Sequence, residues 1–106
     1  MTADIIFVIR TASLRGAAIE ALRRELRGLI APGRRLILHM AGVEQVDTRG
    51  AAVLLEVARR IQEVGGTLKL VGLEKKVSAF FELLRLPMAI DIHGTSSDAF
   101  AIPAAA

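Results

Sequence analysis

Short apolar runs alternate with amphipathic segments along most of the chain, and this alternation restricts the possible fold more than any other feature. The apolar runs have the length of strands, and the segments between them carry apolar residues at helical spacing. Strands joined by helices imply a mainly parallel sheet with right-handed crossover connections. The predicted strands are residues 5–9 (IIFVI), 35–40 (RLILHM), 67–72 (TLKLVG) and 89–92 (AIDI).

Four amphipathic segments between and after these strands are predicted to be helices. The second is the longest, from about Thr48 to Val64, and the glycines at 65–66 provide its C-terminal stop. Pro87 prevents the third helix from continuing, and Pro103 would end the fourth. The apolar stripes of the first three are Ala18, Leu22, Leu26 and Leu29; Val53, Leu54, Val57, Ile61 and Val64; and Val77, Phe80, Phe81 and Leu84, while the fourth covers residues 95–100.

The sequence therefore predicts an α/β fold with a mainly parallel four- to five-stranded sheet and about four helices packed against it. A length of 106 residues and a hydrophobic content of 53% suit one domain with one core, which we place at residues 1–102. Residues 103–106 are expected to form a flexible tail. No run approaches the roughly 18 apolar residues of a membrane span, and the N-terminus lacks a signal-peptide pattern. We expect a cytoplasmic protein without membrane insertion.

Charge and residue types argue against several classes of function. The chain has a net charge of +3, but its arginines at 23–27 are interleaved with Glu20 and Glu25, as on a solvated helix face. There is no Trp or Tyr for base stacking, so no direct nucleic-acid binding is expected. Cysteine is absent, and neither His39 nor His93 has a metal-ligand partner at a recognisable spacing. Glycine-rich phosphate loops and nucleophile motifs are also missing, so we expect no cofactor, no metal and no enzyme activity.

One segment carries more functional groups than its local structure requires. Residues 47–50 (DTRG) lie where a predicted strand leads into the longest helix, which is where functional groups gather in parallel α/β sheets. The helix start favours negative charge, and a glycine there allows close approach of another backbone or of a partner. Simple N-capping by the Asp47 carboxylate or the Thr48 hydroxyl is the alternative interpretation. Capping explains one of these residues, but not all of them.

An ordered series of motifs around this segment resembles the STAS family. That family includes anti-sigma factor antagonists, stressosome subunits, the cytoplasmic tails of sulfate-type anion transporters and a small subunit of a phospholipid-transport ABC complex. The series consists of LILHM at 36–40, Gly42-Val43, DTRG at 47–50, Gly65-Gly66, LVG at 70–72 and LRL at 84–86. It covers about half of the chain closely and implies a single STAS-like domain.

The resemblance to antagonists implies a phosphorylation site and a set of partners. The hydroxyl residue after the aspartate is the one that a kinase acting as the anti-sigma factor phosphorylates, and here it is Thr48. The unmodified antagonist binds this serine-threonine kinase and frees a sigma factor, whereas the phosphorylated form is released. A phosphatase is a further candidate partner. The implied partner-binding residues are Asp47, Thr48, Arg49, Gly50 and Val53.

Two other classes of function remain open at this stage. A constitutive subunit, as in the phospholipid-transport complex, would bind a transporter ATPase subunit in place of the kinase. An enzyme with an unrecognised site has no supporting constellation of residues. Residues 11–16 (TASLRG) lack the acids that antagonists carry at this position, which leaves the choice of partner open. Arg49 could pair with a phosphate on Thr48, contact an acidic partner or simply face solvent.

Overall fold

The structure is a computed structural model that describes residues 4–93, and it contains two parallel sheets and three α-helices within that range. The main sheet has the strand order β1-β3-β5-β6, and every neighbouring pair is parallel. The elements are β1 (Asp4–Val8), β2 (Ser13–Leu14), α1 (Ala17–Arg27), β3 (Arg35–His39), β4 (Gln45–Val46), α2 (Thr48–Glu63), β5 (Thr67–Val71), α3 (Lys75–Leu83), a 3-10 turn (Leu86–Met88) and β6 (Asp91–His93).

The strand order places all three helices on one face of the sheet. Each crossover leads from one strand to the next in the direction of β6. Right-handed crossovers that all run in one direction place their helices on the same face of the sheet. The core confirms this arrangement, because alternate residues of the strands pack against the apolar stripes of the helices. The main participants are Leu36, Leu38, Leu68 and Leu70 from the sheet, Leu22 and Leu26 from α1, Val57 and Ile61 from α2, and Val77 and Phe81 from α3.

The predicted strand–helix order is confirmed, with corrections at both ends of the described range. The first strand covers Asp4–Val8, one residue earlier at each end than the predicted run at 5–9, and it is an edge strand with alternating exposure. The last strand begins at Asp91, two residues later than predicted, because the 3-10 turn and Ala89 precede it. About four helices were expected, and residues 4–93 contain three α-helices. The predicted fourth helix at 95–100 and the tail at 103–106 lie outside the described residues.

A small second sheet, made of β2 and β4, was not predicted from the sequence. Strands β2 and β4 pair in parallel, with Ser13 opposite Gln45 and Leu14 opposite Val46. Each strand has two residues, too few for an alternating pattern to register. Leu14 is fully buried, so the ribbon is part of the core even though it is short. It lies directly before the start of α2.

Ion pairs join the charged faces of α1 and α2. Arg23 lies 3.9 Å from Glu20 and 3.4 Å from Glu56, and Arg60 lies 3.9 Å from the other carboxylate oxygen of Glu56. These side chains are partly exposed, so each pair contributes little to stability. The expected solvated helix face is therefore present. Within residues 4–93, no helix is long and apolar enough to cross a bilayer, and no group of three potential ligands is placed to hold a metal.

The turn between α2 and β5 depends on the absence of a side chain at Gly66. A Cβ there would collide with the Arg34 carbonyl oxygen and lie 3.0 Å from the Ile61 side chain. We expect Gly66→Ala to lower the free energy of unfolding by about 1–3 kcal/mol, because the backbone must move to accept the methyl group. Gly42→Ala is the matched control, since its Cβ would meet only the Ile9 carbonyl oxygen at 3.8 Å. Urea denaturation of both variants measures the difference, and equal stabilities would contradict the steric explanation.

Candidate functional site

The start of α2 is fixed by a side-chain cap. Asp47 has an extended backbone and occupies the N-cap position, where its Oδ1 accepts a hydrogen bond of 3.0 Å from the Gly50 amide. The Asp47 carbonyl oxygen accepts the first helical bond, from the Ala51 amide, at 3.1 Å. Of the two possible caps that the sequence left open, the structure therefore uses the carboxylate. Thr48 is the first residue of the helix, and its hydroxyl is not used for capping.

Gly50 is where α2 meets the β2–β4 ribbon. A Cβ at this position would lie 3.0 Å from Cγ1 of Val46 and 3.2 Å from the carbonyl oxygen of Leu14. The glycine is buried, so the close approach expected here is made by the backbone of the chain itself. The first turn of α2 is consequently held by the cap at Asp47 on one side and by the ribbon on the other.

Thr48 and Arg49 are the exposed members of the predicted set. Both side chains face solvent, and within residues 4–93 the Thr48 hydroxyl takes part in no hydrogen bond. No acidic residue lies in the first turn of α2, although Asp47 precedes it. The free amides of a helix start and its dipole favour negative charge here. The Thr48 hydroxyl is therefore accessible at a position where a phosphate is compatible with the fold.

The structure does not bring all five predicted residues to one surface. Val53 is only 4% exposed and belongs to the core, and Gly50 is buried against the ribbon. Neither offers a side chain that a partner could touch, so any effect on binding comes through the position of α2. Asp47 is half-buried by its capping role. The surface that a partner can contact begins with Thr48 and Arg49.

Thr48 lines a shallow apolar groove between α2 and the end of α3, which we call the Thr48 groove. Its volume is about 170 Å³, and its other lining residues are Ala51, Ala52, Leu55, Leu84, Arg85, Leu86 and Ala89. Leu84 was predicted to be part of the buried stripe of α3, but it is 39% exposed because α3 ends at Leu83. Leu83 and Met88 are neighbours in sequence of the groove residues Leu84 and Ala89, and each is 82% exposed. The contiguous apolar lining of the groove, and not the exposure of single side chains, is the feature that marks an interaction surface.

Arg85 gives this groove a positive charge. It is the one non-glycine residue with positive φ in the described part of the chain, at 60°, and it occupies the left-handed position that ends α3. A left-handed backbone at an arginine is uncommon and costs free energy, which the surrounding turn must offset. Arg85, which lines the groove, and its exposed apolar neighbours Leu83 and Met88 were not among the residues predicted from sequence. The sequence signal for these residues is the segment 83–86 (LLRL) before Pro87, which has more leucines than one helical stripe can bury.

Comparison with known proteins establishes the family. The family model described as "Mlab, STAS domain" matches residues 11–88, which is more than half of the chain. The protein therefore belongs to the STAS domain family, and the resemblance seen in its motifs is confirmed. A search of curated proteins finds no significant match.

Several solved structures share the fold. A domain protein from Planctomyces limnophilus, described as an anti-sigma-factor antagonist, superimposes with a TM-score of 0.80 at 15% identity, covering 96% of this chain and 99% of its own. A Thermotoga maritima protein assigned as an anti-sigma factor antagonist gives 0.75 at 19% identity, covering 91% and 85%. The murine Solute Carrier 26 family member A9 anion transporter gives 0.82 at 20% identity, covering 97% of this chain but 18% of the transporter.

The cap at Asp47 should be worth a measurable part of the stability. We expect Asp47→Ala to lower the free energy of unfolding by about 1 kcal/mol, because the Gly50 amide loses its acceptor. Asp47→Asn keeps an acceptor oxygen at the same distance and should restore most of the loss. Thr48→Ala is the neighbouring control and should change stability by less than about 0.5 kcal/mol, since the hydroxyl is exposed. Chemical denaturation tests all three, and an Asp47→Ala protein as stable as the parent would refute the cap.

Proposed function

We propose that this STAS domain is a non-enzymatic anti-sigma factor antagonist whose docking surface is the Thr48 groove. In this proposal it binds an anti-sigma factor that is also a serine-threonine kinase, releases a sigma factor, and is switched off by phosphorylation of Thr48. One observation carries the proposal: an accessible hydroxyl lies on the rim of an apolar groove at a helix N-terminus. The match to the STAS family model and the antagonist-like neighbours support it.

The switch follows from the composition of the groove. Leu55, Leu84 and the alanines of α2 are suited to an apolar partner surface, which would cover Thr48 when bound. A phosphate adds a charge of about −1.5 to −2 to that rim and would have to be desolvated in the complex. Phosphorylation therefore weakens partner binding. The free protein keeps its fold, because the N-terminus of a helix favours negative charge.

Two arginines define what happens to the phosphate in the free protein. Arg85 lines the same groove as Thr48, and Arg49 follows it in the chain. Either guanidinium can pair with a phosphate by charge-assisted hydrogen bonds. Such a pair would draw Arg85 away from the partner, so the modification adds a charge that must be desolvated and also removes a basic contact. In this proposal, Arg49 and Arg85 hold the phosphate of the modified, unbound protein.

A second candidate function is a constitutive subunit of a phospholipid-transport ABC complex that binds the transporter ATPase. The observation that favours it is the match to the family model described as the Mlab STAS domain. The same groove would then hold a permanent partner, and Thr48 would contact it without being modified. Stable co-purification with an ATPase that is indifferent to phosphorylation distinguishes this function from the switch.

Phosphorylation at one residue is the first test of the proposed switch. Incubation with the cognate kinase and ATP should add a single phosphate at Thr48, located by mass spectrometry, and should lower affinity for that kinase at least tenfold, roughly 1.4 kcal/mol. Thr48→Ala should block both effects. Thr67→Ala is the matched control, because Thr67 is also exposed but lies at the start of β5. A phosphate located at another residue, or unchanged partner release in Thr48→Ala, would rule out the mechanism.

The extent of the docking surface is the second test. Leu84→Glu should weaken partner binding by about 1–2 kcal/mol, because it places a charge in the apolar groove. Val64→Glu is the control, since Val64 has the same 39% exposure but lies at the other end of α2, roughly 24 Å along the helix from Thr48. Isothermal titration calorimetry compares the two variants. Equal losses of affinity would place the partner elsewhere on the protein.

A further inference from the structure

Strand β1 is an edge strand, and residues 5–9 contain neither a charge nor a proline to protect the sheet edge. It pairs with β3 on one side, and in the described part of the chain no strand pairs with its other side. Residues 4–10 (DIIFVIR) contain neither proline nor lysine, and Ile6 and Val8 are 50% and 48% exposed. An apolar edge with unpaired backbone groups is a template for another strand.

The backbone groups available for pairing are those of alternate residues. The Ile9 amide donates a hydrogen bond of 3.1 Å to the His39 carbonyl, so Ile9 points its backbone groups toward β3. Ile5 and Phe7 have the same parity in the strand and do likewise. The amides and carbonyls of Asp4, Ile6, Val8 and Arg10 therefore face the open edge.

Space for an added strand exists beside this edge. A groove of about 490 Å³ lies between β1 and α1. Phe7, Ile9 and Leu22 supply apolar lining. On the α1 side the groove is bordered by Ala18 and Ala21, whose small side chains leave it open. A strand placed against β1 would cover Ile6 and Val8 on one face and fill this groove on the other. Such a strand would consequently meet apolar side chains on both faces, with Arg10 and Glu25 also lining the groove.

The sequence of β1 is complementary to itself in one antiparallel register. When two copies are paired about a two-fold axis at Phe7, Ile6 lies opposite Val8 of the second copy, and Asp4 lies opposite Arg10 of the second copy. All backbone groups that face the open edge then pair, and each apolar pair is flanked by an opposite-charge pair. We propose that the protein forms a homodimer by antiparallel pairing of β1 with β1 of a second copy.

Other registers lose this complementarity. A shift of the axis to Ile6 places Asp4 opposite Val8, and a shift to Val8 places Ile6 opposite Arg10, so each buries a charge against an apolar side chain. Registers shifted by one residue oppose outward backbone groups with inward ones and cannot form the ladder. Among these antiparallel registers, the one centred on Phe7 alone keeps both the apolar and the opposite-charge pairs. In it, the Asp4 carboxylate also keeps its 3.1 Å bond from Arg35 and lies between two arginines.

The dimer leaves the proposed docking surface free. β1 is at one edge of the sheet, whereas the Thr48 groove lies between α2 and the end of α3, toward the β6 edge. The two copies would join their main sheets into one of eight strands, with both Thr48 grooves accessible. This inference is independent of the proposed function, because it needs neither a kinase nor phosphorylation.

Sedimentation equilibrium of the full chain is the first test. We expect a reversible monomer–dimer equilibrium, with a Kd raised at least tenfold by Val8→Lys, which places a charge in the apolar centre of the pairing. Met88→Lys is the matched control and should leave the Kd unchanged, because Met88 is exposed on the far side of the molecule from β1. A parent protein that stays monomeric up to roughly millimolar concentration, or a Val8→Lys dimer of unchanged Kd, overturns the proposal.

A charge exchange tests the register and remains decisive if Val8→Lys fails to fold. Asp4→Arg alone and Arg10→Asp alone each place two like-charge pairs across the dimer, so each should weaken self-association by about tenfold. Mixing these two variants restores both opposite-charge pairs, and a heterodimer with nearly the parent Kd should form, detected by fluorescence energy transfer between labelled copies. Absence of preferential heterodimers would rule out this antiparallel register and with it the proposal.

Discussion

The close packing of α2 on the β2–β4 ribbon determines where the functional surface can be. At Gly50 the helix lies so near to Leu14 and Val46 that a Cβ would be only 3.0 Å from Cγ1 of Val46 and 3.2 Å from the Leu14 carbonyl oxygen. The Asp47 cap fixes the same turn through the Gly50 amide. The strands β2 and β4 have only two residues each, but they set the position of α2, the longest helix. These contacts hold the first turn of α2, where Thr48 faces solvent.

Rigidity and accessibility are divided between neighbouring residues here. Asp47 and Gly50 are committed to packing and capping, whereas Thr48 and Arg49, between them, face outward. A modification of Thr48 therefore changes surface charge without disturbing the contacts that hold the helix, since those contacts belong to its neighbours. A charge added at the opposite end of α2 would meet the unfavourable end of the dipole. The location of the proposed switch at the helix start is thus consistent with a fold that stays intact in both states.

The parts of this structure that were predictable from sequence are those with a long periodic signal. The central strand at β3 and the sixteen residues of α2 are each explained by their own pattern of apolar residues. The ribbon was not predicted, because a strand of two residues is too short to show an alternating pattern. The exposure of Leu84 was not predicted, because an apolar stripe does not show that α3 ends at Leu83. Likewise, the motif at 47–50 located the site, but which members are buried depends on Leu14, more than thirty residues away.

The strand order has a further consequence for assembly. Because all crossovers run in one direction, β1 and β6 are at opposite edges, and the helix that carries Thr48 crosses to the side away from β1. Self-association through β1 and partner binding at the Thr48 groove would therefore use separate surfaces. A dimer with two grooves could engage a dimeric partner at both, and linked binding then exceeds the affinity of one groove. Phosphorylation of one copy would abolish the linked binding at two grooves, and the unmodified groove would still bind with its own affinity. The response would therefore depend on how many copies are modified.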